Sequence, residues 1–205
     1  MLRKLKPAVI LVLAIPVILS GTALTSQENN GQILGGTLAA PIRLEIFSDF
    51  QCPACRDLYL GTIRQVLQEY CSKDKVCVIY HEFLLPQHQY ARQAARFSQA
   101  SARLGQQKML PVYDSLFSEQ AKWSQDGNVE AAVAKALTPE DMQKVKKFMQ
   151  DPSIDQTIDR ELKLGTDNNI KSTPTIFMYY IGRKEKVEGI IPYDTMKNFF
   201  DRVVK

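Results

Sequence analysis

The segment that most restricts this chain is Cys52-Pro53-Ala54-Cys55, because it falls where one hydrophobic period gives way to another. Before it, Ile42, Leu44 and Ile46 alternate with Arg43, Glu45 and Phe47, the period of a strand. After it, Leu58, Leu60, Ile63, Val66, Leu67 and Tyr70 recur near every 3.6 residues, predicting a helix from Pro53 to about Tyr70. Proline suits the first turn, where its missing N–H has no partner to lose. The two thiols therefore stand at a helix start, where unpaired N–H groups and a partial positive charge stabilise an anion. A thiolate so placed has its pKa lowered, to about 3.5–7.5 in known settings. Cys52 is the predicted exposed nucleophile and Cys55, one turn on, the predicted buried resolving thiol. A purely structural disulfide would close too small a loop to constrain the unfolded chain. A zinc site would need Cys71, Cys77, His81 or His88, whose spacing does not match a ligand pattern. No metal and no cofactor are expected.

The remaining periodicities extend this unit. Val76 to Leu85 is an apolar run rich in β-branched and aromatic residues, read as a strand buried on both faces. About eighty residues without strand signal follow. Tyr90, Ala94, Phe97, Ser101 and Leu104 mark one helix. A break is expected around 106–111, then a short apolar piece with Val112, Tyr113, Leu116 and Phe117. Val129 to Leu137 marks another helix, and Thr138-Pro139-Glu140-Asp141 reads as a cap that restarts one. Asp151-Pro152 opens the last of this block, with Gly165 as its expected stop. Strand signal returns at Thr175–Ile181 and Lys186–Ile191, and a final amphipathic helix carries Met196, Phe199, Phe200 and Val203. The predicted order is β-α-β, a helical block, then β-β-α.

The N-terminus reads as an address. Arg3, Lys4 and Lys6 precede thirteen apolar residues, Pro7 to Leu19, and then Ser20, Gly21, Thr22 and Ala23. This is the layout of a secretory signal cleaved after Ala23, the alternative being an uncleaved anchor over residues 7–24. Either reading places the body outside the cytoplasm, in the bacterial periplasm or at the extracytoplasmic face. Residues 24–40 are polar and glycine-containing and read as a linker. Without the three basic N-terminal residues, 23 Lys and Arg stand against 22 Asp and Glu, so nucleic acid is not an expected partner.

An exported chain with four cysteines can hold disulfides. Cys71 and Cys77 flank the turn-like Ser72-Lys73-Asp74-Lys75-Val76, and a structural staple between them is expected. The other reading is a relay of oxidation from Cys52–Cys55. The intervening helix disfavours it, since it separates the pairs by about 25 Å at 1.5 Å per residue. His81 reads as scaffold, His88 as a capping or surface residue with a place on the active-site rim as the alternative, and Trp123 and Tyr113 as packing between the insert helices, with the flanks of a substrate groove as the alternative.

Taken together, strand–FSDFQCPAC–helix, a helical insertion, and Ser172-Thr173-Pro174-Thr175 before a strand resemble the DsbA-like thiol:disulfide oxidoreductases of the thioredoxin superfamily. The resemblance covers Pro41 to Lys205. It implies an α/β thioredoxin fold, with residues 41–86 and 166–205 as the thioredoxin-like domain and 87–165 as the helical insertion. It implies that Pro174 is a cis-proline facing the thiols and that Thr173 contributes main-chain hydrogen bonds to substrate. It offers Glu45 as a buried acid beneath the cysteines, the alternative being an exposed strand residue or an ion-pair partner of Arg43 or of a lysine elsewhere. It implies cysteine-containing exported proteins as substrates and a membrane quinone-linked partner that reoxidises the pair. The sequence departs from strongly oxidising members in its Pro-Ala dipeptide, which has no histidine to stabilise the thiolate. Thiol reduction or isomerisation therefore stands beside disulfide donation, and a non-catalytic holdase or metal carrier is the reading from another class.

Overall fold

The computed structural model describes residues 31–204; the expected signal or anchor lies outside them. Strand β2 (Ile42–Ser48) is the centre of a five-stranded sheet. It pairs in parallel with β3 (Val76–Glu82) and antiparallel with β4 (Thr175–Tyr180). β5 (Arg183–Glu188) extends the sheet beyond β4, and β1 (Gln32–Gly35) closes the other edge against β3. The strand order is β1-β3-β2-β4-β5, and the element order of a thioredoxin fold with a helical insertion is the one observed.

Strand alternation decides what each face buries. Ile42, Leu44 and Ile46 join Val76, Val78 and Tyr80 in the main core, under the helices. Phe47 turns to the other face, where it packs with Ile170 and Phe177. All seven residues of β3 are buried, as its unbroken apolar run predicts.

The helix after the cysteines begins as α1 (Pro53–Leu58), widens into one π-helical stretch at Tyr59–Ile63 and continues as α2 (Arg64–Glu69). Thr62 in the wide turn donates its hydroxyl hydrogen to the Ile191 carbonyl at 2.7 Å, tying this helix to the segment before the C-terminal helix. The insertion comprises α3 (Ala91–Ala102), α4 (Gln106–Ser118), α5 (Gln120–Asp126), α6 (Val129–Ala134), α7 (Pro139–Phe148) and α8 (Ser153–Asp167). Thr138 caps α7 by accepting from the Asp141 N–H, as its sequence predicts. The last element is α9 (Tyr193–Val203).

Three local expectations are corrected. Residues 32–35 are not linker but the edge strand β1. It buries Leu34, and its Gln32 accepts from the Tyr113 hydroxyl at 2.8 Å, a long-range partnership that four residues cannot announce. The expected break at 106–111 is helical, with Pro111 inside α4. The lost backbone bond, worth about 3 kcal/mol in a helix interior, is offset because Val112, Tyr113, Leu116 and Phe117 are all fully buried. Gly165 does not stop α8. It lies within the helix, and a Cβ there would stand 2.2 Å from Phe83 Cδ2, so this glycine serves a close approach of α8 to the sheet.

α8 also delivers Glu161 to the end of β3, where its Oε2 accepts the Glu82 N–H at 2.6 Å. Both carboxyls are fully buried. Burial pushes the Glu161 pKa up to about 8, and pushes Glu82 up as well. In the unfolded chain a glutamate loses its proton near pH 4.3. Between that value and about 8 the folded state binds more protons, so the Glu161 contribution makes stability fall as pH rises. Glu161→Gln is therefore expected to melt higher than wild type at pH 8 and to show a shallower decline from pH 5 to pH 8. Parallel declines in the two proteins would contradict this.

Candidate active site

The thiols stand where β2 ends and α1 begins. Cys52 is the N-cap residue, in extended conformation, and its carbonyl accepts the Arg56 N–H at 3.1 Å to open the helix. Cys52 is 6% exposed and Cys55 is 1% exposed. The nucleophile is thus more enclosed than expected, while its partner is buried as expected.

The two sulfurs have opposite electrostatics. Cys52 has its pKa lowered to about 6, first by the hydrogen bond from Cys55 and further by Thr173 and by the N–H groups of Cys55 and Ala54, which together outweigh its burial. Cys55 is pushed well above the ordinary thiol value, chiefly by burial and then by the Cys52 sulfur beside it. The Asp49 N–H donates to Cys55 Sγ at 3.5 Å. In the reduced protein Cys52 is the group that ionises near neutral pH. Alkylation of the reduced protein should accordingly follow a single thiolate fraction with midpoint near pH 6, its rate falling about tenfold per pH unit below that. A midpoint near the ordinary value of about 8.5 would contradict the assignment.

The loop at 172–175 meets Cys52 across 121 positions of sequence: the Cys52 thiol donates to the Thr173 carbonyl at 3.4 Å. The Thr173–Pro174 bond is cis. The Pro174 carbonyl accepts the Gly189 N–H at 2.8 Å, which fixes this loop to the end of β5.

Glu45 is not beneath the thiols. It is in register with Ile79 and Phe177, on the sheet face opposite α1. There its Oε1 lies 3.1 Å from Arg43 Nε, and its Oε2 accepts from the Tyr179 hydroxyl at 3.0 Å. Strand period alone accounts for this, because residues at odd spacing from Ile46 point away from the helix. The carboxyl near the thiols is that of Asp49, fully buried. Its Oδ1 accepts the Gln51 N–H at 2.7 Å, and its Oδ2 accepts the Leu85 N–H at 2.8 Å and lies 2.8 Å from His88 Nδ1. Burial raises the Asp49 pKa against these stabilising contacts. His88 is thus tied to the loop preceding the thiols rather than being a free surface group.

Gln120, from the insertion, is a second contributor that sequence reasoning missed. Its amide donates to the carbonyls of Phe50 and Cys52 at 2.7 and 2.9 Å. The signal that could have found Asp49 is its place three residues before Cys52; Gln120 carries no local signal.

The Cys71–Cys77 staple is also corrected. Both thiols are free, and Cys77 is in register with Arg43 on the Glu45 face, whereas Cys71 belongs to the core on the helix side. The odd spacing that places Cys77 beside Val76 and Val78 turns its side chain through the sheet, away from Cys71. Burial raises the two thiols to about 12 and about 11, so both are protonated at neutral pH. Tyr113 and Trp123 are core residues, the Trp123 ring N–H donating to the Leu116 carbonyl at 2.7 Å. His81 stacks on Phe47 with ring centroids 4.5 Å apart, and burial lowers its pKa to about 4. Among the described residues no cluster of three or more His, Cys, Asp or Glu could hold a metal ion.

Known proteins are similar to this chain in sequence and fold. The probable disulfide bond formation protein D of Bacillus cereus is 22% identical over 170 residues, covering 81% of this chain and 76% of that protein. The oxidised crystal structure of BdbD from Bacillus subtilis superposes with a TM-score of 0.68 at 18% identity, covering 85% of this chain and 93% of that one. Pseudomonas aeruginosa DsbA2 gives a TM-score of 0.65 at 21% identity, covering 82% and 91%. At these identities the likeness to the solved structures speaks for the fold. The family model described as thioredoxin matches residues 28–202, and a match over that much of the sequence means that this chain belongs to the thioredoxin family.

Proposed function

We propose that this chain is a thiol:disulfide oxidoreductase that donates disulfides to cysteine-containing exported proteins through Cys52 and Cys55. The observation that carries the reading is the placement of the two thiols, Cys52 at the N-cap of α1 against the Thr173 carbonyl and Cys55 buried one turn on, which lowers the Cys52 pKa to about 6 and raises that of Cys55. A substrate thiolate attacks Cys52 Sγ, the Cys52–Cys55 bond breaks, and Cys55 leaves with the electron pair and takes a proton. A second substrate thiolate then attacks the substrate sulfur of the mixed disulfide and releases Cys52 as a thiolate. A low leaving-group pKa speeds this release. The substrate leaves oxidised and the protein leaves as a dithiol, so a separate oxidant must restore it. A membrane quinone-linked protein fits that role.

Thr173 and Pro174 serve in this reading as the edge against which substrate backbone docks. The names of the Bacillus relatives support disulfide formation. Ala54, whose side chain brings no donor between the cysteines, is the observation favouring the second reading, a reductase or isomerase. In this reading the body works in the periplasm or at the extracytoplasmic face, with residues 1–23 as signal or anchor; no helix of the described residues is long and apolar enough to cross a membrane. The test mixes the oxidised protein with a reduced peptide bearing two cysteines. One disulfide should appear in the peptide per dithiol formed in the protein. A peptide that stays reduced while the protein remains oxidised would refute the proposal.

A further inference from the structure

The end of the sheet opposite the thiols has features that the thiol chemistry does not use. β2 starts there at Ile42, paired with Tyr180 and Val76, so the turn after β4, the loop at 36–41 and the turn before β3 come together. Leu38 is 53% exposed and Ile181 is 75% exposed, two of the three large apolar residues at the surface of the described chain. They border one open groove of about 380 Å³ with Arg43, Tyr179, Arg183 and Lys184.

Ile181 is held at φ 45°, next to Gly182 at φ 72°. A two-residue hairpin turn with both φ positive is normally built from Asn, Asp or Gly. A β-branched residue in that conformation is strained. Packing within the protein does not compensate, since the side chain faces solvent.

The charges at this pole are unbalanced towards positive. The carboxylates near these cations are engaged: Glu45 with Arg43 and Tyr179, Asp74 with the Thr37 N–H and hydroxyl, Glu185 with the Tyr180 hydroxyl, and Asp201, whose charge reaches Lys75, with Lys197 and the Tyr70 hydroxyl. Lys73 and Lys75 flank Asp74 and are exposed. Among the described residues Arg183 and Lys184 enter no ion pair with a carboxylate; Lys184 Nζ lies over the Phe177 ring at 4.2 Å and 3.4 Å from Asn168 Oδ1.

We propose that this pole is a peripheral membrane contact that takes anionic phospholipid headgroups, with Leu38 and Ile181 entering the headgroup region and Arg183, Lys184, Lys73 and Lys75 meeting the phosphates. Two apolar tips are far too little for a protein interface, which buries about 800 Å² on each partner. Shallow apolar insertion beside surplus cations suffices at an anionic bilayer surface. The site lies at the far end from Cys52, so docking leaves the thiols facing away from the lipid. This inference is independent of the redox reading.

The test uses the full chain and two sets of vesicles, phosphatidylcholine alone and phosphatidylcholine with phosphatidylglycerol. The N-terminal apolar segment is common to every variant, so the readouts are amide exchange in the 181–184 hairpin and the ratio of affinities between variants. Phosphatidylglycerol vesicles should slow exchange at these amides and neutral vesicles should not. Arg183→Gln with Lys184→Gln should weaken binding roughly 25-fold, at about fivefold per cation. Ile181→Asn should weaken it at least about threefold, while melting no lower than wild type, since asparagine tolerates positive φ. That melting behaviour separates lost contact from unfolding. Oxidation of a soluble peptide should be unchanged in both variants. Hairpin exchange that ignores lipid charge, or variants that bind as wild type does, would overturn the proposal. Protection by soluble polyglutamate but not by vesicles would overturn it in favour of an acidic protein partner.

Discussion

Replacing Cys52 by serine should lower oxidation of a two-cysteine peptide by roughly a thousandfold or more, because it removes the attacked sulfur and the leaving thiolate of the release step. The other two cysteines cannot substitute: Cys71 and Cys77 are buried, protonated at neutral pH and divided by the sheet. Cys55→Ser should behave differently. It leaves the Cys52 thiolate in place but removes the resolving thiol, so when Cys52 attacks an added disulfide and expels one thiol, the mixed disulfide on Cys52 should accumulate. Cys55→Ala, which removes the side-chain donor that most lowers Cys52, should also move the Cys52 titration upward from about 6. Mass spectrometry of the trapped adducts and the alkylation profile read these two effects separately. Wild-type turnover in the Cys52→Ser protein would sink the mechanism.

The largest stability effect is expected at Phe50. This ring is fully buried two residues before Cys52, with centroids 5.1 Å from Tyr80, 5.0 Å from Tyr113 and 4.8 Å from Phe117. It is the point where the strand layer and the insertion share one aromatic cluster. Phe50→Ala removes the ring and leaves a cavity, a change that costs about 3–5 kcal/mol in a well-packed core. It also frees the loop whose Phe50 and Cys52 carbonyls are held by the Gln120 amide. Denaturant unfolding should therefore show a large fall in midpoint with little change in slope. The Phe50→Leu protein should recover most of the stability. A loss below about 1 kcal/mol, the scale of an ordinary surface or volume-conserving change, would mean that the cluster does not join the two layers.

How much of this was legible in the sequence follows from the range of each interaction. The thiol pair, the strand before it and the helix after it were readable because period, proline and cysteine spacing all lie in the one continuous segment from Ile42 to Tyr70. The block of helices and the return to strands were readable for the same reason. What failed depended on contacts across the chain. The strand at 32–35 exists because β3 offers it an edge and Tyr113 and Ser98 offer Gln32 partners. Gly165 looks like a helix stop until Phe83 is placed against it. Pro111 looks like a break until the burial of the residues after it is known. Glu45 was drawn to the thiols by resemblance, although the alternation from Ile46 already turned it to the other face. The same alternation, applied to Val76-Cys77-Val78, separates Cys77 from Cys71. In both cases a local rule was available and a longer-range expectation displaced it. Asp49, His88 and Gln120 converge on the active-site loop from three segments, and no single segment announces that meeting.

The central claim is that the oxidised Cys52–Cys55 pair is a donor, and its reduction potential tests this most directly. A thiolate that remains ionised down to about pH 6 stabilises the dithiol, which makes the disulfide more oxidising. Equilibration of the protein against glutathione buffers at pH 7 should give a potential above about −200 mV, on the side of donors and isomerases. A value at or below about −270 mV, where thioredoxin-type reductants lie, would contradict disulfide donation and assign the site to reduction.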